Sequence, residues 1–470
     1  MGDFQTATNS FLTWFKSAGG EFRDDLLEIK DLRARDAGRG IVAIKDIPQE
    51  TTLFTIPREA IISTETSKLA ERLPEAFDAP ADDEDDDSEP LDSWGSLILV
   101  MLYEYLQGES SKWKPYFDVL PQAFDTPIFW SEAELGELQG TCLTPEKIGK
   151  QQSDEMLRTR IVPIVLTNPT IFYPEGVAPL SEDDLLVVAH RMGSTIMAYA
   201  FDLDNGNEQS DDEEDGWVED REGRTMLGMV PMADILNANA DFNAHINHGD
   251  KLEVTSLRSD LKTGTEILNY YGPLPSSELL RRYGYVTPAH RVYDVVELSW
   301  NSVLSALADE LNLPAEVLGE VETEFDEEEL EEYFIIERDS GEPDGEGRLT
   351  YTAELREISP ELEEQLKTFL KALKKARPDS FADKRKRGEI CIAAITQALT
   401  AKLEQYPTSA QEDEALLKKG DLSKRHRMAI EVRLGEKKLL QEGVALMQQT
   451  ASEDEAATEE GSTKRAKTKA

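Results

Sequence analysis

The sequence predicts an α+β protein: a β-rich unit split by a helical insert, followed by a helical domain. Three observations carry this expectation. Short β-rich runs, LEIKDL, GIVAI and TLFTIP, alternate with turn residues between positions 27 and 57, the pattern of a small meandering sheet. From Trp94 the apolar period becomes helical and stays so for about a hundred residues. Strand character then returns in MLGMVPMADILN, KLEVTSLRS and EILNYYG, before long Leu/Ala/Glu/Lys segments take over from about 290.

Each element follows from local pattern. Phe11, Leu12, Trp14 and Phe15 have helical spacing within residues 5–18, so the chain opens on a helix within 1–24. In SWGSLILVMLYEYLQG the apolar residues cover a broad helical face, and Gly108 is the expected stop. Helical signals continue through 131–165 and 181–201, where DDLLVVAHRMGSTIMAYAF reads as a buried helix. Two acidic low-complexity runs, at 78–90 and 202–223, read as disordered loops. Further helices are expected at 299–319, 359–377, 388–405 and 427–448. The boundaries are therefore 25–288 for the β-rich unit, with its insert at about 60–225, 289–450 for an all-helical domain, and 451–470 for a disordered tail. A chain of 470 residues is too long for one ordinary core, which agrees with two or three folded units.

The charge is lopsided, with 94 Asp and Glu against 50 Lys and Arg and a formal net charge of −44. That field repels nucleic-acid phosphates and favours a basic protein partner, although it also serves solubility. Cys142 and Cys391 lie far apart without CxxC spacing, which argues against a disulfide framework and a zinc site. With five histidines and no ligand spacing, no catalytic metal is expected. No apolar stretch approaches the roughly 18 residues that span a bilayer, and the opening segment lacks a signal-peptide pattern, so a soluble intracellular protein is expected.

Three short stretches stand out. In DAGRGIVAIKDI, Gly38 and Gly40 flank Arg39 before a strand, where glycine permits positive φ or a close ligand; a dinucleotide fingerprint would need a third glycine and a helix. NANADFN crowds Asn237, Asn239 and Asn243 between apolar segments, which by itself suits a loop. In EILNYYGPLPSSELLRRYGY, Tyr270 and Tyr271 precede a proline turn and a helix expected to carry Tyr283 and Tyr285, which would also suit a core.

Taken in order, these stretches resemble the SET-domain lysine methyltransferases of the class similar to the Rubisco large-subunit methyltransferase. MVPMADILNANADFNAHI resembles the class's asparagine motif, and EILNYYGPLPSSELLRRYGY its tyrosine motif; both look closest to the ribosomal-protein methyltransferase branch. The resemblance implies a SET domain with its pseudoknot, a helical insert and a helical substrate-binding domain. It implies that Ala37, Gly38, Arg39 and Gly40 lie along the amino-acid part of S-adenosyl-L-methionine. Asn237 and Ala238 would hold the adenine, largely through main-chain groups. Tyr271 would be the catalytic tyrosine, also touching the cofactor, while Tyr199 and Tyr283 would contact the substrate. The family's usual Asn-His is Asn237-Ala238 here, and alanine can keep the main-chain contact. His245 is seven residues too far along to substitute, and His190 reads as structural.

The implied activity is methylation of a lysine on a basic protein, a large-subunit ribosomal protein first and a histone or other nuclear protein second. No direct nucleic acid and no membrane partner is expected. Two alternatives stay open: a non-catalytic SET-fold reader of basic tails, for which Ala238 is the best argument, and a histidine acceptor. KKARPDSFADKRKR at 374–387 and KRAKTKA at 464–470 favour the nucleus, with the cytoplasm second.

Overall fold

A computed structural model describes residues 2–35, 37–77, 90–203, 226–325, 329–381 and 386–467. The two acidic runs lie almost wholly outside these residues. Asp202 and Leu203, counted with the second run, end a described strand.

The β runs fold where their side chains alternate or are buried throughout. The strands are β1 (Glu21–Phe22), β2 (Leu27–Asp31), β3 (Arg39–Ala43), β4 (Thr52–Pro57), β5 (Ala200–Leu203) and β6 (Met226–Met229). They continue as β7 (Asn237–Ala238), β8 (Ala244–Asn247), β9 (Lys251–Ser256) and β10 (Glu266–Asn269). One sheet has the order β1-β4-β9-β8 and a second β2-β3-β10-β7, while β5 and β6 form a separate pair. β2 and β3 are antiparallel, with Ile29 opposite Ile41. β7 runs parallel to β10, with Leu268 opposite Asn237 and Asn269 opposite Ala238. That parallel pairing joins the two segments that the SET pseudoknot is expected to cross, so the asparagine and tyrosine motifs become neighbours.

The insert's main helices are Ser93–Leu106 and Glu182–Tyr199. Asp92 caps the first by accepting from the Gly95 N–H, and Ser181 caps the second by accepting from the Asp184 N–H. Glu182, Asp183 and Asp184 fill the second helix's first turn, where negative charge is favoured. That helix ends because Ala200 turns extended, with ψ 150°, which leaves Tyr199 at its tip. The opening helix, Gly2–Ser17, the two larger sheets and the insert share one core, including Phe11, Phe15, Ile41, Phe54, Leu99 and Ile196. Burying each such side chain contributes about 1.5–3 kcal/mol, so insert and sheets stand or fall together.

The C-terminal unit has its own core around Trp300, Phe369, Leu399 and Leu439. It is not all-helical. Strands β11 (Val295–Ser299) and β12 (Tyr333–Glu337) pair antiparallel, placing Val296 against Ile336 and Leu298 against Phe334. All four are buried and their neighbours in each strand are not, the alternation of a one-sided ribbon. The helix expected over 299–319 is two, Trp300–Leu311 and Ala315–Glu322, because Asn312 turns left-handed and Pro314 follows. Helix Ala410–Lys419 was not expected from the apolar period; a Ser409–Glu412 capping box starts it. The last helix runs from Lys424 to Lys467, beyond the tail boundary expected at 451, through a stretch rich in the strong helix formers Ala, Glu and Lys. Trp130, Leu138, Leu280, Met428 and Val432 form a third cluster that fastens insert to last helix.

Candidate functional site

The site is a cleft of about 1030 Å³ between the N-terminal helix, the β3 end and the insert. Ala37, Gly38, Arg39 and Asn237 line it, with Tyr199 and Asp234 in the same wall. Four of the predicted residues, Gly40, Ala238, Tyr271 and Tyr283, lie outside that lining. Gly40 is buried where a Cβ would come within 2.4 Å of the Leu32 side chain and 2.8 Å of Glu266. Ala238 is buried opposite Asn269 in the ladder, so its main chain is held and its side chain is walled off. Of the glycine pair, Gly38 alone has a positive φ, 65°, and open space beside it.

The Arg39 side chain is committed to structure. Its guanidinium donates to Thr8 Oγ1 at 3.0 Å and to the Val119 carbonyl at 2.9 Å, and it stacks 3.9 Å over the Phe4 ring. It therefore staples the N-terminal helix to the insert across the cleft.

The asparagines divide the work of shaping this wall. Asn237 Nδ2 donates to the Arg39 carbonyl at 3.1 Å and to Glu266 Oε1 at 2.7 Å, tying β7 to β3 and β10. Asn243, buried, donates to the Glu266 carbonyl at 2.8 Å and accepts from the Leu268 N–H at 2.9 Å. Asn239 makes a turn, its Oδ1 accepting from the Asp241 N–H at 3.1 Å. The Asn237 Nδ2 group is thus spent inside the protein.

Behind Tyr199 and Asp234 stands a box of tyrosines. The Tyr271 and Tyr283 rings stack with centroids 4.5 Å apart and planes 14° off parallel, and Tyr285 sits 6.0 Å from Tyr283. Tyr283 ends the helix Ser276–Tyr283, and Tyr285 lies beyond it, after Gly284 at φ 72°. A Cβ at Gly284 would approach the Asp125 and Thr126 backbone to 3.0 Å, so a glycine there lets the box close on the insert. Tyr271 is buried and its hydroxyl reaches the Leu236 carbonyl at only 3.4 Å. The Tyr283 and Tyr285 hydroxyls are shut from solvent with no partner. Burial pushes all three phenols far above their ordinary range, so they stay neutral.

Sequence reasoning missed Asp234 and Tyr116. The Tyr116 hydroxyl donates to Asp234 Oδ2 at 2.5 Å across 118 residues of chain, while Asp234 Oδ1 has no partner. Burial pushes the Asp234 carboxyl up to about 7, against the bond from Tyr116 and the pull of the nearby backbone N–H groups of Met232 and Asp234. An acid three positions before the asparagine motif was the only available signal, and Tyr116 carried none. His190 is half-buried with Nε2 3.3 Å from Asp154, and His245 lies on β8, so neither enters the site. No group of three or more His, Cys, Asp or Glu able to hold a metal occurs among the described residues, and no described helix is long and apolar enough to cross a membrane.

With this geometry in view, comparison with known proteins defines the class. The SET domain family model matches residues 38–272, half of the chain, and the Rubisco LSMT substrate-binding model matches residues 322–440. The chain belongs to the SET-domain family. Ribosomal lysine N-methyltransferase 4 of Saccharomyces cerevisiae is 33% identical over 326 residues, covering 68% of this chain and 63% of that protein. The alignment thus spans less than two-thirds of that relative's length. N-lysine methyltransferase setd6 of Xenopus laevis is 27% identical over 463 residues, 92% of this chain and 93% of its own. The crystal structure of the SET domain of LSMT bound to lysine and AdoHcy has the same fold, with a TM-score of 0.63 at 22% identity over 96% of this chain and 92% of that one. Rubisco LSMT bound to AdoMet gives 0.61 at 22% identity, covering 95% and 93%.

Proposed function

We propose that this protein transfers methyl groups from S-adenosyl-L-methionine to a lysine side chain of a protein substrate. The observation that carries the reading is the join of the cleft to the tyrosine box. Ala37–Arg39, Asn237, Tyr199 and Asp234 line the cleft, and the stacked Tyr271–Tyr283 pair lies beside Tyr199 and Asp234. The relatives' names, lysine methyltransferases in both cases, support it.

The chemistry needs little beyond this. Methyl transfer from a sulfonium to an amine is an in-line displacement, so positioning is most of the task. The methyl donor supplies the electrophilic carbon. Main-chain groups of residues 37–39 and 237 hold it in the cleft, and the Phe4–Arg39 staple fixes the cleft's width. The lysine, whose unperturbed pKa is about 10.4, must arrive at the sulfonium as a free amine. A box of neutral aromatic rings disfavours the ammonium by desolvation. The Tyr271 hydroxyl, only weakly engaged by Leu236, is free to orient the amine and to face the methyl group's partial positive charge.

The finer reading is that the substrate is basic and ribosomal. The −44 net charge and the likeness to the yeast ribosomal enzyme support it. The basic clusters at 374–387 and 464–470 support nuclear entry, with residues 382–385 and 468–470 outside the described set. Incubation with labelled S-adenosylmethionine and a ribosomal extract tests the whole reading. A labelled large-subunit protein, with methyl-lysine by mass spectrometry, is the expected result; label on no such protein removes the ribosomal assignment, and methyl-histidine would change the acceptor. Titration calorimetry with the cofactor separates an enzyme from a tail reader, which need not bind it.

A further inference from the structure

The wall of the cleft holds an unusual backbone turn. Met232 has φ 84° and ψ −42°, a conformation that costs a non-glycine residue on the order of 1–3 kcal/mol. The turn is held by the Asp234 N–H donating to the Val230 carbonyl and the Ile235 N–H to the Met232 carbonyl, with Val230, Met232 and Ala233 all buried. Its consequence is the placement of Asp234 where the insert's Tyr116 and Tyr199 meet the β10 side of the site. One carboxyl oxygen accepts from Tyr116 and the other accepts from nothing.

Cations stand in the same cleft but are engaged elsewhere. Arg39 is bound to Thr8 and Val119, Arg33 to Asp31, and Lys114 to Asp118. Among the described residues no Lys, Arg or His pairs with Asp234. A shielded carboxyl oxygen without a partner is costly unless a ligand supplies the partner. The groups facing it are the Tyr116, Tyr199 and Tyr271 hydroxyls, each kept neutral by burial, and the backbone at Met232 and Asp234.

We propose that Oδ1 of Asp234 receives the ammonium of the target lysine and takes one of its protons. The inference rests on the methyltransferase reading. In the step, an Nζ–H bond breaks and the proton forms an O–H bond on Asp234, leaving a neutral amine beside a neutral carboxyl. The freed lone pair attacks the S-methyl carbon, the N–C bond forms, and the C–S bond breaks with its electrons remaining on sulfur. The products are a methylammonium and the neutral thioether, and the Asp234 proton then passes to water. A carboxyl held at about 7 by burial is matched to accept a proton near neutral pH.

The test is the pH profile of initial methylation rates, with labelled S-adenosylmethionine and purified large-subunit ribosomal proteins. Wild-type rates should climb with pH through about 7 and then level off. Asp234→Asn should lower kcat at pH 7 by on the order of 10²–10⁴-fold and abolish the levelling, the residual rate rising as lysine itself loses its proton. Tyr116→Phe removes a bond that favours the carboxylate, so its rising limb should move to higher pH, a shift that a merely structural tyrosine would not produce. An active wild type with an unchanged profile in either variant overturns the proposal alone. A wild type that binds the cofactor and methylates no lysine, either in these proteins or in a whole-cell extract, overturns the functional reading and this inference with it.

Discussion

At the joint between the insert and the last helix, Asp413 is buried and fully bonded. It accepts from Arg433 Nη2 at 2.8 Å and Thr408 Oγ1 at 2.7 Å, and it pairs with Lys437. Arg433 in turn donates to the Glu137 carbonyl at 3.0 Å, and Glu436 accepts from the Cys142 N–H at 3.0 Å and the Tyr406 hydroxyl at 2.7 Å. At the cleft wall and in the tyrosine box behind it, Asp234 Oδ1 and the Tyr283 and Tyr285 hydroxyls are shut from solvent with capacity left over. Both places bury ionisable groups, but the Asp413 carboxylate has its bonds closed by its own chain and the Asp234 carboxyl does not. Polar groups satisfied by their own chain hold domains together; those left open in a cleft are shaped for something that arrives later.

This contrast can be broken by mutation. The largest effect belongs to Asp413→Ala, which strands Lys437, 1% exposed, without an anion and leaves Arg433, also 1% exposed, with Glu137 alone. A loss of about 3–5 kcal/mol in chemical denaturation is expected. Burial pushes the Asp413 carboxyl up, but Arg433, Lys437 and Thr408 together hold it below its ordinary value, so it is charged when it leaves. A loss below 1 kcal/mol would show that the joint is not where the domains are locked.

Tyr271→Phe should do the opposite: a loss of methyl transfer on the order of 10²–10³-fold, with stability moved by less than about 1 kcal/mol. Its hydroxyl has only the 3.4 Å contact to Leu236 to give up. Unfolding by Tyr271→Phe with little effect on rate would put the tyrosine on the structural side of the comparison.

Asn237→Ala lies between the two classes. It strips the partner from Glu266 Oε1 and the Arg39 carbonyl, at about 1–3 kcal/mol, and should weaken cofactor binding in titration calorimetry because it loosens the β3–β7 wall. Weakened stability with untouched cofactor affinity would separate the asparagine from the ligand altogether.

The smallest effect is a slope. Burial pushes Glu436 up to about 8, so the folded state holds its proton more tightly than the unfolded state does. A raised carboxyl makes stability fall as pH rises from the unfolded value near 4.5 toward about 8. Glu436→Gln can still accept from the Cys142 N–H through Oε1 and donate through Nε2 to the Tyr406 hydroxyl oxygen, and should remove up to about 1.4 kcal/mol per pH unit of that fall. An unchanged slope in pH-dependent denaturation would mean that Glu436 is not protonated in the fold.

Much of this architecture is legible in the chain. β2, β3, β4, β9 and β10 each coincide with a run rich in Val, Ile, Leu, Phe or Thr, because local alternation and side-chain shape are properties of the segment itself. The asparagine and tyrosine motifs were legible as composition, and Gly38 as a turn. β11, β12 and helix Ala410–Lys419 were not. YFIIE is five residues long, and what makes it a strand is its ladder with VVELS, some forty residues earlier. The split at Pro314 was readable and was overridden by the surrounding helical period.

The sequence alone determined the α+β class and the split by a helical insert, since spacing and propensity are local, and its motifs singled out Asn237, Tyr271 and Tyr283 as candidates through a family resemblance. Only the tertiary structure decided which asparagine faces what, that Gly40 fills a packing gap while Gly38 lines the cleft, and that Asp234 meets Tyr116 across 118 residues. Those outcomes depend on distances between segments far apart in the chain. A parallel pairing of β7 with β10 sets them all at once, and no local pattern encodes which strand a two-residue segment will join.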